Sequence, residues 1–460
     1  MYSFFEIEIF CSSWNAVFCN TKMRCARYLR QPKHTVMNFQ YDLAFAQSLD
    51  RSDTLSVYRE RFLFPQHNGN HVLYFTGNSL GLQPKGVKEA FVEECDDWAA
   101  FGVEGHFLAR KPWLSYHERF AAGAAKLVGA KEHEVVMMNQ LTVNLNLLLV
   151  SFYKPEGKRR KILFEAKPFP SDQYAFASQA RLHGLEPNEV LVELLPRSGE
   201  VTLRMEDVLK TIQELGDELA LVCFGGVNYF TGQLFNMQEI TQAAHEIGAV
   251  CGFDLAHAAG NVPLSLHQWN VDFACWCTYK YLNSGPGSVG GVYVHERHAT
   301  NRDLFRLAGW WGHNKETRFQ MAPDFDPIPT AESWSMSNAP VFNMIAHEVS
   351  LEIFSEVGMP ALREKSLLLT AYLDFVLDEV MRSTGQILKR ITPEDPSQRG
   401  CQLSVIVEGY DRKLVSKLYE QGVIVDWREP NVIRLAPVPL YNSFEDVYQL
   451  GKVLEQIFTR

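Results

Sequence analysis

Cys275-Trp276-Cys277-Thr278-Tyr279-Lys280-Tyr281-Leu282-Asn283 places a lysine just past an apolar, alternating segment, and a Gly-rich turn, Ser284-Gly285-Pro286-Gly287, follows it. Twenty-six positions before that lysine, Cys251-Gly252-Phe253-Asp254 ends another apolar segment on an acid, with His257 close behind. Residues 249–253 and 271–277 have the length and composition of buried strands, as do 219–224 and 289–294. Between them, 236–248 has helical spacing, with Ile240, Ala243, Ala244 and Ile247 on one side. Short buried strands alternating with helices predict an α/β fold with a mostly parallel sheet covered on both faces. Ligands on such sheets sit outside the carboxyl ends of the strands. Asp254 and Lys280 both fall at such ends, within reach of one ligand. An amine and a carboxylate so placed suit pyridoxal phosphate. The Lys280 amine forms a Schiff base with the aldehyde. The Asp254 carboxylate keeps the pyridine nitrogen protonated, so the ring accepts electrons.

Each of these residues has an ordinary reading when taken alone: a surface lysine at a strand end, an aspartate capping a turn. It is the pairing that points to chemistry. Asp254-x-x-His257 could also hold a metal, but two ligands without a third make a poor site, and no metal is expected. Thr142 opens a helix that should run from about 141 to 152; it is either a plain cap or part of a phosphate site, because free amides at a helix start bind anions. Gly225-Gly226, after a strand, allows close backbone approach to an anion. Phe169-Pro170-Ser171-Asp172 is either a proline turn or an aromatic lid on a cofactor ring. Arg434, in Ile433-Arg434-Leu435-Ala436-Pro437, interrupts an apolar strand; a buried arginine there suits bidentate binding of a carboxylate.

Working outward, 161–164 reads as a strand, 84–100 as a helix starting at Pro84, and 116–128 as another. Residues 41–64 are polar-helical with Asp53 as a cap, and 72–75 form a short strand. The stretch 309–340 is irregular, 341–382 is helical, and 401–407 and 423–425 are strands of a smaller domain. With 460 residues the chain is too long for one core. The expected division is an extension over 1–36, an N-terminal segment 37–70 packed on the small domain, a large domain 71–335 and a small C-terminal α/β domain 336–460. Residues 1–36 read as an unstructured or non-native extension ahead of a start at Met37. A net charge of −10 argues against a nucleic-acid partner, and no apolar run is long enough to span a bilayer. Nine scattered cysteines without a Cys-x-x-Cys pair point to reduced thiols and a cytoplasmic enzyme.

Seven runs taken in order resemble one family, kynureninase, a pyridoxal-phosphate enzyme of the aspartate aminotransferase fold (fold type I, with a large domain built on a mostly parallel seven-stranded sheet). They are Tyr74-Phe75-Thr76-Gly77-Asn78-Ser79-Leu80-Gly81-Leu82-Gln83-Pro84, Leu141-Thr142-Val143-Asn144-Leu145, Phe169-Pro170-Ser171-Asp172, Gly252-Phe253-Asp254-Leu255-Ala256-His257-Ala258, Trp276 to Asn283, Gly309-Trp310-Trp311-Gly312-His313 and Arg434-Leu435-Ala436-Pro437-Val438-Pro439-Leu440-Tyr441-Asn442. The resemblance runs from about residue 40 to the C-terminus. It implies that Lys280 is the cofactor-linked lysine, that Asp254 pairs with the ring nitrogen, and that Tyr279 is a proton relay. It further implies cofactor contacts from Leu141, Thr142, Phe169, Pro170, Ser171, Asp172, His257, Tyr279, Trp310 and Asn338, with Trp310 supplied by the other subunit of a homodimer. Arg434 would take the substrate α-carboxylate, and Ser79, His106 and Asn338 would lie around the aryl pocket. Gly225 departs from relatives that carry a hydroxyl there, leaving only a backbone amide for a phosphate. The implied reaction is hydrolysis of L-kynurenine or 3-hydroxy-L-kynurenine to an anthranilate and L-alanine, a step of tryptophan catabolism and NAD biosynthesis. Two other readings stay open: a cysteine desulfurase or aminotransferase on the same fold, and a binding protein without chemistry.

Overall fold

A computed structural model of the chain describes residues 38–459; the expectations for 1–36 and for a start at Met37 lie outside them. Residues from Tyr41 onward form one compact unit. Its larger sheet has seven strands: β1 (Val135–Met137), β2 (Lys161–Glu165), β3 (Leu191–Leu194), β4 (Leu219–Gly225), β5 (Val250–Asp254), β6 (Phe273–Cys277) and β7 (Gly290–Val294). Their order across the sheet is β1-β7-β6-β5-β4-β2-β3, and only β7 pairs antiparallel to its neighbours. This is the mostly parallel sheet that the apolar strands predict.

Along the central strands β4 to β7 both faces of the sheet are dry, which is why these strands read as continuous apolar runs. Along β6, Ala274 and Trp276 join the core on one face, while Phe273 and Cys275 join the core on the other. Small residues on neighbouring strands make room for the large ones. A Cβ at Gly291 would lie 2.1 Å from the Trp276 indole, and one at Gly252 would lie 2.2 Å from the Phe273 ring. Truncating either aromatic to alanine would cost about 3–5 kcal/mol.

The second sheet is antiparallel, with β8 (Leu388–Arg390), β9 (Leu403–Val407), β10 (Asp426–Arg428) and β11 (Val432–Leu435) in the order β8-β9-β11-β10. The helical stretch expected over 341–382 is present as two helices, Val341–Val357 and Met359–Thr384, separated by Gly358 at φ 77° with Pro360 in the next first turn. The stretch 309–340 is irregular as expected, with only short 3-10 turns.

Local expectations shift where a distant partner intervenes. The helix expected from Pro84 starts at Val87; Gln83 and Pro84 pair instead with Leu63 and Phe62. Asp53 caps within 41–64 as expected, but not alone. Asp42 caps helix Leu43–Ser52 through the Phe45 amide at 2.9 Å, and Asp53 caps the following turn at Leu55 while pairing with buried Lys365 at 2.8 Å. Val423–Ile424 does not join the antiparallel sheet; it pairs in parallel with Leu73–Tyr74. Asp50 accepts the Phe444 and Glu445 amides at the start of helix Phe444–Phe458, and Arg59 bonds Asp446 in the same turn.

Candidate active site

The carboxyl ends of β2, β4, β5 and β6 face one cleft that opens to solvent, as ligand sites on such sheets do. Its walls include Leu141, Thr142, Glu165, Phe169, Asp172 and Gly225, and further round Tyr229, Asp254, His257, Tyr279 and Lys280. Two helices begin at this cleft. In Leu141–Phe152 the residue before the helix is Gln140, which makes no side-chain cap, so the first amides stay available to an anion. Pro170–Leu182 starts on a proline, whose missing N–H costs nothing there. Thr142 is therefore inside the first turn and is not the cap.

Lys280 Nζ lies 3.1 Å from His257 Nε2 and over the Phe169 ring, 5.6 Å from its centroid. Burial, then the charges of Lys280 and Arg434, push the imidazole well below its ordinary pKa, so His257 is neutral. Asp254 Oδ1 accepts the Ala256 amide at 2.7 Å. Burial raises the Asp254 carboxyl while Lys280 pulls it down. Asp172 lies hydrogen-bonded beside it and is raised further, by burial and then by the Asp254 charge. One of this pair keeps its proton. Burial also raises the Tyr279 phenol, which stays protonated. Asp254 and His257 do not converge with a third metal-ligating group among the described residues.

Arg434, 1 % exposed, stands on β11 directly across from Asp426 on β10. Its guanidinium donates to the Tyr229 carbonyl at 2.8 Å, to Ser79 Oγ at 3.1 Å and to the Asp426 carboxylate. Ser79 also donates to Asp426, and Arg428 bonds the other Asp426 oxygen at 2.6 Å. Tyr229 links this group to the cleft, since its ring meets Phe169 edge-on at 5.4 Å.

Lys280, Tyr279, Asp254, His257, Leu141, Thr142, Phe169, Ser171 and Asp172 thus share one cleft, with Pro170 in its helix start, and Ser79 and Arg434 adjoin it through Tyr229. His106, Trp310 and Asn338 are not among the residues lining it within one copy. His106 bonds the Val103 carbonyl and packs on Trp113; Trp310 is 46 % exposed and donates to the Arg318 carbonyl; Asn338 is exposed. The Gly225 amide is also not free for an anion: it donates to both Glu165 oxygens, at 3.0 and 3.1 Å. Glu165, Tyr229 and Asp426 escaped the sequence reading. Glu165 had a visible signal, because it ends its apolar strand on an acid just as Asp254 does.

The donor set fits pyridoxal phosphate. Asp172 Oδ1 and His257 Nδ1 are buried without a partner. An amine faces the cleft, a buried carboxylate waits for a ring N–H, an aromatic face lies above, and open helix amides suit a phosphate.

Comparison with known proteins agrees. Residues 362–454 match the family model described as the kynureninase C-terminal domain. Kynureninase of Flavobacterium psychrophilum is 55% identical over 420 residues, spanning 91% of this chain and 99% of its own. That of Myxococcus xanthus is 54% identical over 418 residues, spanning 91% and 97%. Among solved structures, a cysteine desulfurase from Thermococcus onnurineus superposes with a TM-score of 0.69 at 20% identity over 84% of this chain and 94% of its own. Cysteine desulfurase CsdA of Escherichia coli gives 0.71 at 17% over 88% and 98%. These structures share the fold, that of the type I pyridoxal-phosphate enzymes, whereas the closer sequence likeness is of another order: the chain belongs to the kynureninase family.

Proposed function

We propose that the chain hydrolyses L-kynurenine, or its 3-hydroxy form, to an anthranilate and L-alanine, using pyridoxal phosphate held in the cleft at the ends of β2, β4, β5 and β6. Family membership supports the reaction. The observation that carries the site is the Lys280 amine, 3.1 Å from a neutral imidazole and facing buried carboxylates. When bound, the cofactor supplies an aldehyde for that amine and an electron sink for the substrate's α-carbon.

The chain's own residues do the rest. Asp254, with Asp172 beside it, holds the proton on the ring nitrogen. Phe169 covers a ring face, and His257 lies near the other side of the lysine. Leu141, Thr142 and Tyr279 sit where the phosphate would lie, with Pro170 and Ser171 completing the opposite helix start. Lys280 takes the α-proton once displaced, and Tyr279, protonated, is a proton donor at the leaving carbon. Arg434 binds the α-carboxylate, its fork held by Ser79, Asp426 and the Tyr229 carbonyl. His106, Trp310 and Asn338 complete the cofactor and aryl sites from a homodimer. The exposure of Trp310 and Asn338 supports that reading.

A desulfurase needs a reactive, mobile cysteine after the lysine. Cys401 is buried beside Tyr281, and burial pushes its thiol up to about 12, so that alternative is not favoured. No helix among the described residues is long and apolar enough to cross a membrane; we assign the enzyme to the cytoplasm on its free thiols. We retain the division into domains 71–335 and 336–460, with 37–70 on the latter, supported by the bonds of Asp50 and Arg59 to 444–446. Purified protein incubated with pyridoxal phosphate and L-kynurenine should release fluorescent anthranilate and alanine. No product from either kynurenine form would refute the assignment, and kcat/KM for the two forms decides which is preferred.

A further inference from the structure

We propose that Glu165 is a positioning residue of the cleft: its carboxyl takes the place of a side chain at position 225 and anchors the turn that carries Tyr229 to Arg434. Glu165 is 3 % exposed and ends β2 beside the carboxyl end of β4. Both its oxygens accept the Gly225 amide, and the Asn228 side chain bonds it as well. A Cβ at Gly225 would lie 2.8 Å from Glu165 Oε1. A side chain at 225 therefore presses on this carboxyl, which must shift to admit it.

The turn that Glu165 holds has four further bonds. Asn228 Oδ1 accepts the Phe230 and Thr231 amides, and the Tyr229 carbonyl accepts Arg434 and Gln402. Glu165 thus connects the floor of the cofactor cleft to the arginine beyond it. Asp254, Asp172 and Lys280 face it from the cofactor side, while Lys167, Glu193 and Glu200 line the cavity behind it. Burial raises the carboxyl to about 7, with the Asp254 charge adding to the rise against the bonds from Gly225 and Asn228.

The inference rests on this cleft being the cofactor site, and the test separates the two. Apoprotein is titrated with pyridoxal phosphate by absorbance, and KM for kynurenine is measured on reconstituted enzyme. Glu165→Ala should weaken cofactor affinity and raise KM, each by about ten-fold, the loss of one buried hydrogen-bonded anchor. Glu165→Gln, which keeps an acceptor for the Gly225 amide, should restore both. Gly225→Ala should mimic Glu165→Ala, and the double variant should be no worse than either single one. The carboxyl's raised pKa means its stabilisation is complete below the ordinary glutamate range and lost as pH rises through about 7. Apoprotein melting should therefore fall more steeply over that interval in the wild type than in Glu165→Gln. Unchanged affinity and KM in Glu165→Ala, additive losses in the double variant, or identical melting profiles would overturn the proposal. Failure of the wild type to take up the cofactor would sink the site assignment as well.

Discussion

The cleft has two charged poles built on different kinds of backbone. Where the parallel strands end, Asp254 and Glu165 from the sheet and Asp172 from the first turn of helix Pro170–Leu182 crowd around a single amine, Lys280. On the antiparallel sheet, Arg434 and Arg428 share one carboxylate, Asp426. The first pole sets three buried carboxyl groups against one amine and suits a protonated ring nitrogen. The second has spare positive charge and suits a carboxylate. Each is buried enough for the imbalance to matter, since unpaired charge out of water is costly. A protonated pyridine nitrogen at the first pole and a substrate carboxylate at the second would suit both at once. The chemistry therefore depends on the two poles together, joined by the 225–231 turn.

Breaking the first pole should have the largest effect. Lys280→Ala removes its only amine, and turnover should fall by at least about 10³-fold, together with loss of the cofactor's visible absorbance. Kynurenine turnover at near wild-type rate in this variant would mean that the acidic pole works without its lysine.

The second pole should respond differently. Arg434→Lys keeps the charge but replaces a planar fork by a point. We expect kcat/KM to fall by about 100-fold, mainly through KM, with cofactor affinity unchanged. An equal loss of cofactor affinity would show that the poles are not separable.

The two poles were also unequally legible in the chain. Asp254 and Lys280 each end an apolar strand, and the burial that makes those strands readable also places their ends at one ligand. Arg434 stood out as a charge within an apolar strand. What holds Arg434 did not: Ser79 and Asp426 lie 347 residues apart and meet only through folding. Glu165 was missed because the strand reading stopped at Phe164, one residue short. The helix expected from Pro84 begins three residues late, at Val87, for the same nonlocal reason, because a strand pair with Phe62 captured its first residues. Local periodicity reports which face of an element is dry; it carries no record of which distant backbone claims an element's end.

Asp426→Asn gives the smallest and sharpest comparison. In the present arrangement one Asp426 oxygen takes both Arg434 and Ser79, while the other takes Arg428. An amide can accept on one side only, and its NH₂ would then face a hydroxyl or a guanidinium. Arg434 would lose part of its fixed orientation but keep the Tyr229 carbonyl and the Ser79 hydroxyl. KM for kynurenine should rise by about ten-fold, the scale of one hydrogen bond to a charged group, with kcat and cofactor affinity near wild type. A fall in KM would reverse the role of this carboxylate. Asp426 would then be a competitor that the substrate must displace, and the positive pole would be held back by its own anchor.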